Sequence, residues 1–343
     1  MKTFRKAGDI KVGVVGYGGA FNMGRAHFNE MKAAGMTPLA VAEIDPARLK
    51  IARDEFPGIE TYRTVDEMLG KSAVNLVTLI TPHNTHAALA LKCLKAGRHV
   101  VAEKPMAVTT AECDIMIAAA KRAQVVLSTY HNRHWDGIIL GAMKHIRAGT
   151  IGKVVRMDVE MGRLAKPGDW WRSSKSISGG ILYDWGVHLC EYILQMADAG
   201  IAEVSGYTWS GVWANQTRWK KDTNEDEGHL VIRFDSGAWA TIQMSSLDGR
   251  PNQPWFKVIG TKATMALDWN ATEITTLDGD NRVTTVVPNP KSQGGCFYQN
   301  IADHLTRGTR LVITPEWSRR PIHILDLACR SAKAKQAMKP KYK

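Results

Sequence analysis

The chain has no run of about 18 apolar residues, so it encodes no membrane-spanning helix. Cysteine is sparse: the five, at positions 93, 113, 190, 296 and 329, lie far apart with no Cys-x-x-Cys. That spacing excludes a disulfide framework and a zinc knuckle, and it points to reduced thiols in a cytoplasm. The first residues, Met1 to Gly8, are basic but have neither the apolar core of a secretion signal nor an adjacent arginine pair, so a cytoplasmic location is expected. Internal repeats and low-complexity segments are absent. Acid is short relative to base, with 33 Asp and Glu against 45 Lys and Arg and a net charge of +12. The basic residues are spread along the chain, however, and no stretch interleaves them with aromatics, so no nucleic-acid partner is expected. The densest group, Arg330, Lys333, Lys335, Lys339, Lys341 and Lys343, reads first as a solvated helix end. A diffuse positive field that collects an anionic substrate is the second reading.

What is present is ordinary globular material: 343 residues, 44% hydrophobic and 23% charged, enough for two domains with sizeable cores. In the first 130 residues short apolar runs (11–15, 39–43, 76–80, 99–102, 125–129) alternate with helical stretches (25–34, 46–55, 86–96, 110–122). That rhythm predicts parallel βαβ units. Past Asp136 it changes. A helix near 138–148 leads to strand patterns at 154–161, 203–213, 228–234, 238–244, 256–259 and 264–267, with turns at Asp235-Ser-Gly237 and Gly260-Thr-Lys262. Such short links predict antiparallel neighbours. The fold class expected is therefore α/β: a parallel βαβ domain over 1–130, then an α/β domain over 131–343 with an open, mostly antiparallel mixed sheet. A helix at 182–196 should back that sheet, and the final helix is free to pack back on the first domain.

The opening strand runs into Gly16-Tyr17-Gly18-Gly19-Ala20-Phe21-Asn22-Met23-Gly24. Glycines there allow a tight turn and close approach of backbone N–H groups to a pyrophosphate, which then sits on the positive end of the next helix. Six positions separate Gly18 from Gly24 where the usual pattern has three, so Phe21, Asn22 and Met23 become candidates to face the cofactor themselves. Glu43 closes the second strand, where a carboxylate accepts hydrogen bonds from the adenosine ribose hydroxyls and repels a 2′-phosphate. NAD is expected over NADP; Arg48 and Arg53 are the nearby residues able to reverse that. Thr81-Pro82-His83-Asn84-Thr85-His86 ends a third strand, along the ribose and nicotinamide side, and His83 and His86 read as capping or packing rather than as metal ligands. Glu103-Lys104-Pro105 ends a fourth. A lysine fixed at a strand's C-terminal end faces the crevice where open α/β sheets bind ligands, and its ammonium can stabilise a developing alkoxide.

A second constellation follows in Ser178-Gly179-Gly180-Ile-Leu-Tyr-Asp184-Trp185-Gly186-Val187-His188-Leu-Cys-Glu191. On a helix, Asp184 and His188 share a face, with Glu191 nearly on the same side. An imidazole oriented by a carboxylate suits proton abstraction from an alcohol. The same three residue types are ligands for zinc or iron. A buried pair satisfying its own hydrogen bonds is the third reading, and the helix alone does not choose among them.

Together these segments resemble the glucose–fructose oxidoreductase/inositol dehydrogenase (Gfo/Idh/MocA) family. The resemblance rests on Gly24-Arg-Ala-His27, Thr81-Pro82 with His86, the stretch Ala96–Pro105, Tyr130-His-Asn132-Arg133, and Gly179–His188, all in order. It implies an NAD(P)-binding Rossmann domain, an open-sheet second domain, an active site between them, and activity on sugars, polyols and their derivatives. Carried over, Lys104 corresponds to the family's catalytic lysine, Asp184 to its site carboxylate and His188 to its acid/base. Glu103 and Arg133 complete the cofactor-facing set. Trp171-Arg172 resembles a familial Trp-Arg, which makes these two, with Lys175 and His134, candidates for gripping substrate. Two features depart from the family: the long phosphate loop, and His134 where many members have a second arginine. Eleven tryptophans, several of them (Trp135, Trp170, Trp171, Trp185) flanking the expected site, also suit the faces of a carbohydrate ring.

The expected activity is therefore an NAD-dependent dehydrogenase of a secondary hydroxyl on a sugar or polyol, holding no metal. The expected assembly is a homodimer or homotetramer through the C-terminal sheet. Three alternatives accompany it: a redox-neutral enzyme whose tightly held NAD oxidises and re-reduces one substrate, a metal-dependent sugar isomerase or hydrolase, and a nucleotide-sensing regulatory protein.

Overall fold

Valine-rich strands with no polar alternation need cover on both faces, and the first half of the chain supplies it. In the computed structural model, which describes residues 3–343, β1 (Lys11–Val15), β2 (Thr37–Ala42), β3 (Glu60–Tyr62), β4 (Leu76–Leu79), β5 (His99–Ala102) and β6 (Leu127–Thr129) form one parallel sheet in the order β3-β2-β1-β4-β5-β6. Helices α1 (Met23–Ala33), α2 (Pro46–Glu55), α3 (Val65–Lys71), α4 (His86–Lys95) and α5 (Thr110–Ala123) provide the crossovers. Local chemistry starts several of them. Asp45 caps α2 by accepting from the Ala47 N–H at 2.8 Å, with Pro46 at the first helical position, and Thr109 and Glu112 form a capping box on α5. The unit β3–α3 went unread in the sequence because its strand is three half-buried residues, Glu60-Thr-Tyr62, with no apolar run to mark it.

The second half builds an eight-stranded mixed sheet. Its strands are β7 (Val154–Gly162), β8 (Ile201–Trp209), β9 (Glu227–Phe234), β10 (Trp239–Ser245), β11 (Phe256–Gly260), β12 (Ala263–Leu267), β13 (Ala271–Asp278) and β14 (Asn281–Pro288), in the order β14-β13-β12-β11-β7-β10-β9-β8. Every pairing is antiparallel except β7 with β10. Across seven strands the register aligns Val204, Ile232, Ala240, Met157, Val258, Met265 and Ile274, all buried. Helices α6 (Gly137–Arg147), α8 (Ile181–Asp184) and α9 (Gly186–Ala197) pack on this sheet, the four-residue α7 (Lys175–Ser178) preceding α8. The neighbouring row, Glu203, Arg233, Trp239, Arg156, Ile259, Thr264 and Thr275, faces the other way, and all of it is half-buried or exposed.

Two expectations are corrected here. The helix read as 182–196 is broken: α8 ends at Asp184, and α9 starts at Gly186 with Trp185 as its cap residue. Strands β13 and β14 were unread because they are threonine-rich with largely exposed residues, so the apolar alternation that marks a strand is missing.

The chain divides into two compact units, one running to Asn132 and including Gly295–Arg319, the other Arg133–Gly294 with Arg320–Lys343. The first unit thus contains α10 (Cys296–Arg307), a helix also unread in the sequence. The last helix, α11 (Pro315–Ala334), starts in the first unit and ends in the second. Buried side chains tie the returning segment to the first unit: Tyr298 Oη lies 2.7 Å from His27 Nδ1, and Ser128 Oγ donates to the Ile313 carbonyl at 2.8 Å.

Candidate active site

In the first unit the parallel register brings four strand ends to one edge. The Gly16 N–H donates to the Ala42 carbonyl, Ile80 N–H to Val15, and Glu103 N–H to Leu79, so the segments after β1, β2, β4 and β5 emerge side by side. Strand order reverses at β1, which makes this edge the topological switch point of a doubly wound sheet. Gly16 has a φ of +95°, and a Cβ there would meet the Ile80 carbonyl, so only glycine lets β1 leave the sheet beside β4.

The glycine loop fits a pyrophosphate. A Cβ at Gly18 would meet nothing within 4 Å, so that backbone borders open space, and Gly18, Ala20, Phe21 and Asn22 are exposed. Asn22, in the left-handed region at φ 51°, leads into α1. Tyr17 turns inward instead. Its ring packs against Gly24, where a Cβ would collide with it, and its hydroxyl donates to Glu55 Oε2 at 2.6 Å. Burial, then the Glu55 contact, pushes this phenol well above its ordinary value. Gly24 is thus the packing glycine of the motif, displaced by the longer loop. Glu55 also pairs with Arg25, and Glu55, which lies outside the recognised motif, went unpredicted.

Glu43 uses one oxygen on the Tyr17 N–H (2.6 Å) and the other on the Asp45 N–H (3.0 Å), which leaves each oxygen a further lone pair for a ribose hydroxyl. Arg48 lies against Gly19, where a Cβ would strike its guanidinium. Arg53 instead donates to Thr61 Oγ1 at 2.9 Å.

Thr81 Oγ1 lies 2.6 Å from Thr85 Oγ1, beside Pro82 and the exposed Asn84. His86, expected to face the cofactor, is fully buried, with Nδ1 2.8 Å from the Pro105 carbonyl and Nε2 2.9 Å from the Thr81 carbonyl. Burial lowers its pKa against the raising effect of the two carbonyls, and the ring, with a carbonyl at each nitrogen, links the two loops. Glu103 also points inward, one oxygen 3.0 Å from His27 Nε2 and the other on the Lys104 N–H at 2.9 Å. Lys104 itself is half-buried at the strand end.

In the second unit, Asp184 accepts from Arg172 Nη1, and the Arg172 guanidinium lies 4.9 Å from the Trp171 ring and 5.3 Å from Trp170. His188 is buried near the start of α9, its ring edge-on to Trp185 at 5.7 Å. Arg133 sits 4.7 Å above Trp185 and donates to Asp136 Oδ2 at 2.9 Å, and Tyr192 Oη donates to the same oxygen at 2.7 Å. His134 Nδ1 meets Glu191 Oε1 at 2.5 Å, and Gln195 Nε2 donates to the other oxygen of Glu191 at 2.9 Å. Lys175 pairs with buried Glu225 at 2.6 Å, whose other oxygen takes the Ile181 N–H, so this lysine holds the turn after the glycine pair. Among the described residues no three His, Cys, Asp or Glu side chains converge as metal ligands would, and no helix is long and apolar enough to cross a membrane.

Comparison with known proteins agrees with this arrangement. Residues 10–131 match the GFO/IDH/MocA oxidoreductase family with its NAD-binding Rossmann fold, and residues 139–266 match the GFO/IDH/MocA C-terminal domain. The chain is 26% identical to the scyllo-inositol 2-dehydrogenase (NADP(+)) of Bacillus subtilis over 98% of each protein. Among solved structures it is similar to an NAD-binding protein from Listeria innocua (TM-score 0.84, 26% identity, 97% of each chain). A levoglucosan dehydrogenase solved with NADH and levoglucosan shares the fold, with a TM-score of 0.82 at 19% identity over 97% of this chain and 99% of that one.

Proposed function

From a chain that belongs to the GFO/IDH/MocA oxidoreductase family, we propose an NAD(P)-dependent dehydrogenase acting on a secondary hydroxyl of a sugar, an inositol-like polyol or a related derivative. The observation that carries the reading is the common edge of β1, β2, β4 and β5, where a dinucleotide loop, a ribose-facing carboxylate and Lys104 emerge together. Relatives named as inositol and levoglucosan dehydrogenases support the substrate class. The nicotinamide supplies the hydride acceptor when bound. The chain's own residues do the rest. His188 takes the hydroxyl proton, Lys104 stabilises the oxygen as charge develops on it, and Asp184 with Arg172 holds a neighbouring hydroxyl. Trp170 and Trp171 offer flat faces to the C–H side of a ring.

NAD is the proposed cofactor, because a carboxylate at position 43 with lone pairs to spare favours two free ribose hydroxyls. NADP is the second reading. It is favoured by the Arg48 guanidinium against Gly19, a cation beside the loop able to meet a 2′-phosphate. The proposed assembly is a homodimer or homotetramer through the uncovered face of the second sheet, which carries exposed Tyr207, Trp209 and Trp239. A cytoplasmic location is part of the same proposal.

The test is an absorbance screen for NAD(P)H with myo-inositol, scyllo-inositol, levoglucosan and common aldoses. Steady NAD(P)H formation with one of them supports the reading. Conversion of a substrate with no NAD(P)H released points to the redox-neutral alternative, in which held cofactor is oxidised and reduced within one turnover.

A further inference from the structure

Behind Glu103-Lys104 runs a buried line of hydrogen bonds drawn from four elements of the first unit. Glu103, at the end of β5, accepts the Lys104 N–H on Oε2 (2.9 Å) and faces His27 Nε2 with Oε1 (3.0 Å). His27, in α1, meets Tyr298 Oη through Nδ1 at 2.7 Å, and Tyr298, in α10, lies 3.2 Å from Thr78 Oγ1 in β4. His27, Tyr298 and Thr78 have no exposed surface. With a neutral imidazole one assignment satisfies every member. Thr78 donates to the Tyr298 oxygen, Tyr298 donates to Nδ1, Nε2–H donates to Glu103, and Glu103 accepts the Lys104 N–H. Glu103 ends this line by accepting one hydrogen bond on each oxygen. Burial alone would raise its pKa, but the His27 and Lys104 contacts outweigh burial and lower it.

Such an arrangement does more than satisfy buried groups. Pro105 follows Lys104, so the lysine sits on a strand end whose next residue cannot donate to the sheet. Its backbone is held from behind by a carboxylate that is itself fixed by rings from α1 and α10. The residue that anchors the ring of His27 comes from Gly295–Arg319, the segment that returns to the first unit between the two stretches of the second.

We propose that Tyr298 and His27 are positioning residues which, through Glu103, set the Lys104 backbone so that its ammonium meets the reacting oxygen. The inference rests on the reading of Lys104 above. Its test is a mutant cycle with Tyr298→Phe, Glu103→Gln, Lys104→Ala and the doubles. Turnover is measured on whichever of myo-inositol, scyllo-inositol, levoglucosan or glucose forms NAD(P)H fastest, alongside cofactor dissociation constants and melting temperature. Tyr298→Phe removes one hydroxyl and keeps the ring. It should lower kcat about tenfold, and Glu103→Gln, which leaves one acceptor for two donors, roughly 10- to 100-fold. Cofactor affinity should stay within about twofold, and in the Lys104→Ala background neither change should lower kcat by more than about twofold further. Losses that multiply in full on Lys104→Ala, or wild-type turnover in Tyr298→Phe and Glu103→Gln, overturn the inference while leaving Lys104 in place. Wild-type turnover in Lys104→Ala overturns the reading of the lysine itself, and the inference with it.

Discussion

The two sheets of this protein treat their faces differently. In the first, neighbours such as Val100 and Val101 point to opposite sides of β5, and both are wholly buried. In the second, Ile232 of β9 is wholly buried while Val231, which points the other way, is only half-buried. A parallel sheet wrapped by its own crossover helices has no free face, so its chemistry is confined to strand ends and loops. A sheet covered on one side keeps a whole surface for other uses. The lesson is about where function sits. The first unit presents its candidate residues in a line of loops along one edge, and the second draws its candidates from helices and turns on either side of β7 in the chain and leaves the far face uncovered.

That contrast can be broken directly, and the largest effect is expected there. Val100→Asp and Val101→Asp should each destabilise by about 4 kcal/mol or more, or prevent folding, because either face buries an unpaired carboxylate. Ile232→Asp should do the same, whereas Val231→Asp should keep the native circular dichroism and melting transition while reducing the oligomer mass in light scattering. Equal damage from both substitutions in β9 would mean that the second sheet is covered on both faces after all.

The division of labour gives the next effect. His188→Ala should lower turnover on the order of 10²–10⁴-fold and leave the cofactor dissociation constant unchanged. Gly18→Ala should do the reverse. Its Cβ meets nothing in the protein, so the melting temperature should hold, but the methyl occupies the approach to the loop and should weaken cofactor binding about tenfold or more. Gly16→Ala, by contrast, should destabilise the fold itself, since its φ of +95° and the Ile80 carbonyl both resist a side chain. Fluorescence titration and thermal melts separate the three.

A pH effect of intermediate size is expected from the first sheet. His99 is buried in β5, and its Nδ1 accepts the Val126 N–H at 2.9 Å, so protonating that nitrogen breaks the bond. Burial, helped by nearby His304, lowers its pKa from the ordinary 6.5 to about 4. Between those values the unfolded chain holds the extra proton, so stability is full above pH 6.5 and falls as the pH drops towards 4. At about 1.4 kcal/mol per pH unit the complete loss is roughly 3 kcal/mol. Urea titrations at pH 7 and pH 5 should show the slope, and His99→Asn, which keeps an acceptor but does not titrate, should flatten it.

The smallest expected change concerns the cofactor. Glu43→Ala should shift the ratio of kcat/KM for NAD over NADP about tenfold or more towards NADP. Arg48→Ala should shift it the other way if the guanidinium against Gly19 serves a 2′-phosphate, and an unmoved ratio in Glu43→Ala would release that carboxylate from the ribose.

Much of the architecture was legible because it depends on local periodicity. The runs at 11–15 and 99–102 became β1 and β5 with the same bounds, and the helix at 46–55 became α2. The Asp235-Ser-Gly237 and Gly260-Thr-Lys262 turns joined antiparallel strands as their length required. Elements without apolar alternation (β3, β13 and β14) were not legible, nor was the break at Trp185, since a helical pattern continues across it in the sequence.

For the candidate site the boundary falls between residue type and orientation. Glycines, Glu43, Glu103-Lys104 and the Asp184–His188 pair announce a kind of chemistry by type and spacing alone. Which way each side chain turns depends on partners distant in the chain. Glu103 and His86 turn inward because His27, Tyr298 and the Pro105 carbonyl await them, Lys175 is held by Glu225, and Asp184 by Arg172. A buried donor or acceptor must find a partner wherever the fold brings one, and no local pattern encodes that meeting. The sequence by itself therefore determined the two sheets, the family and the residue types at the edge, while the tertiary structure decided which of those residues support the others from behind.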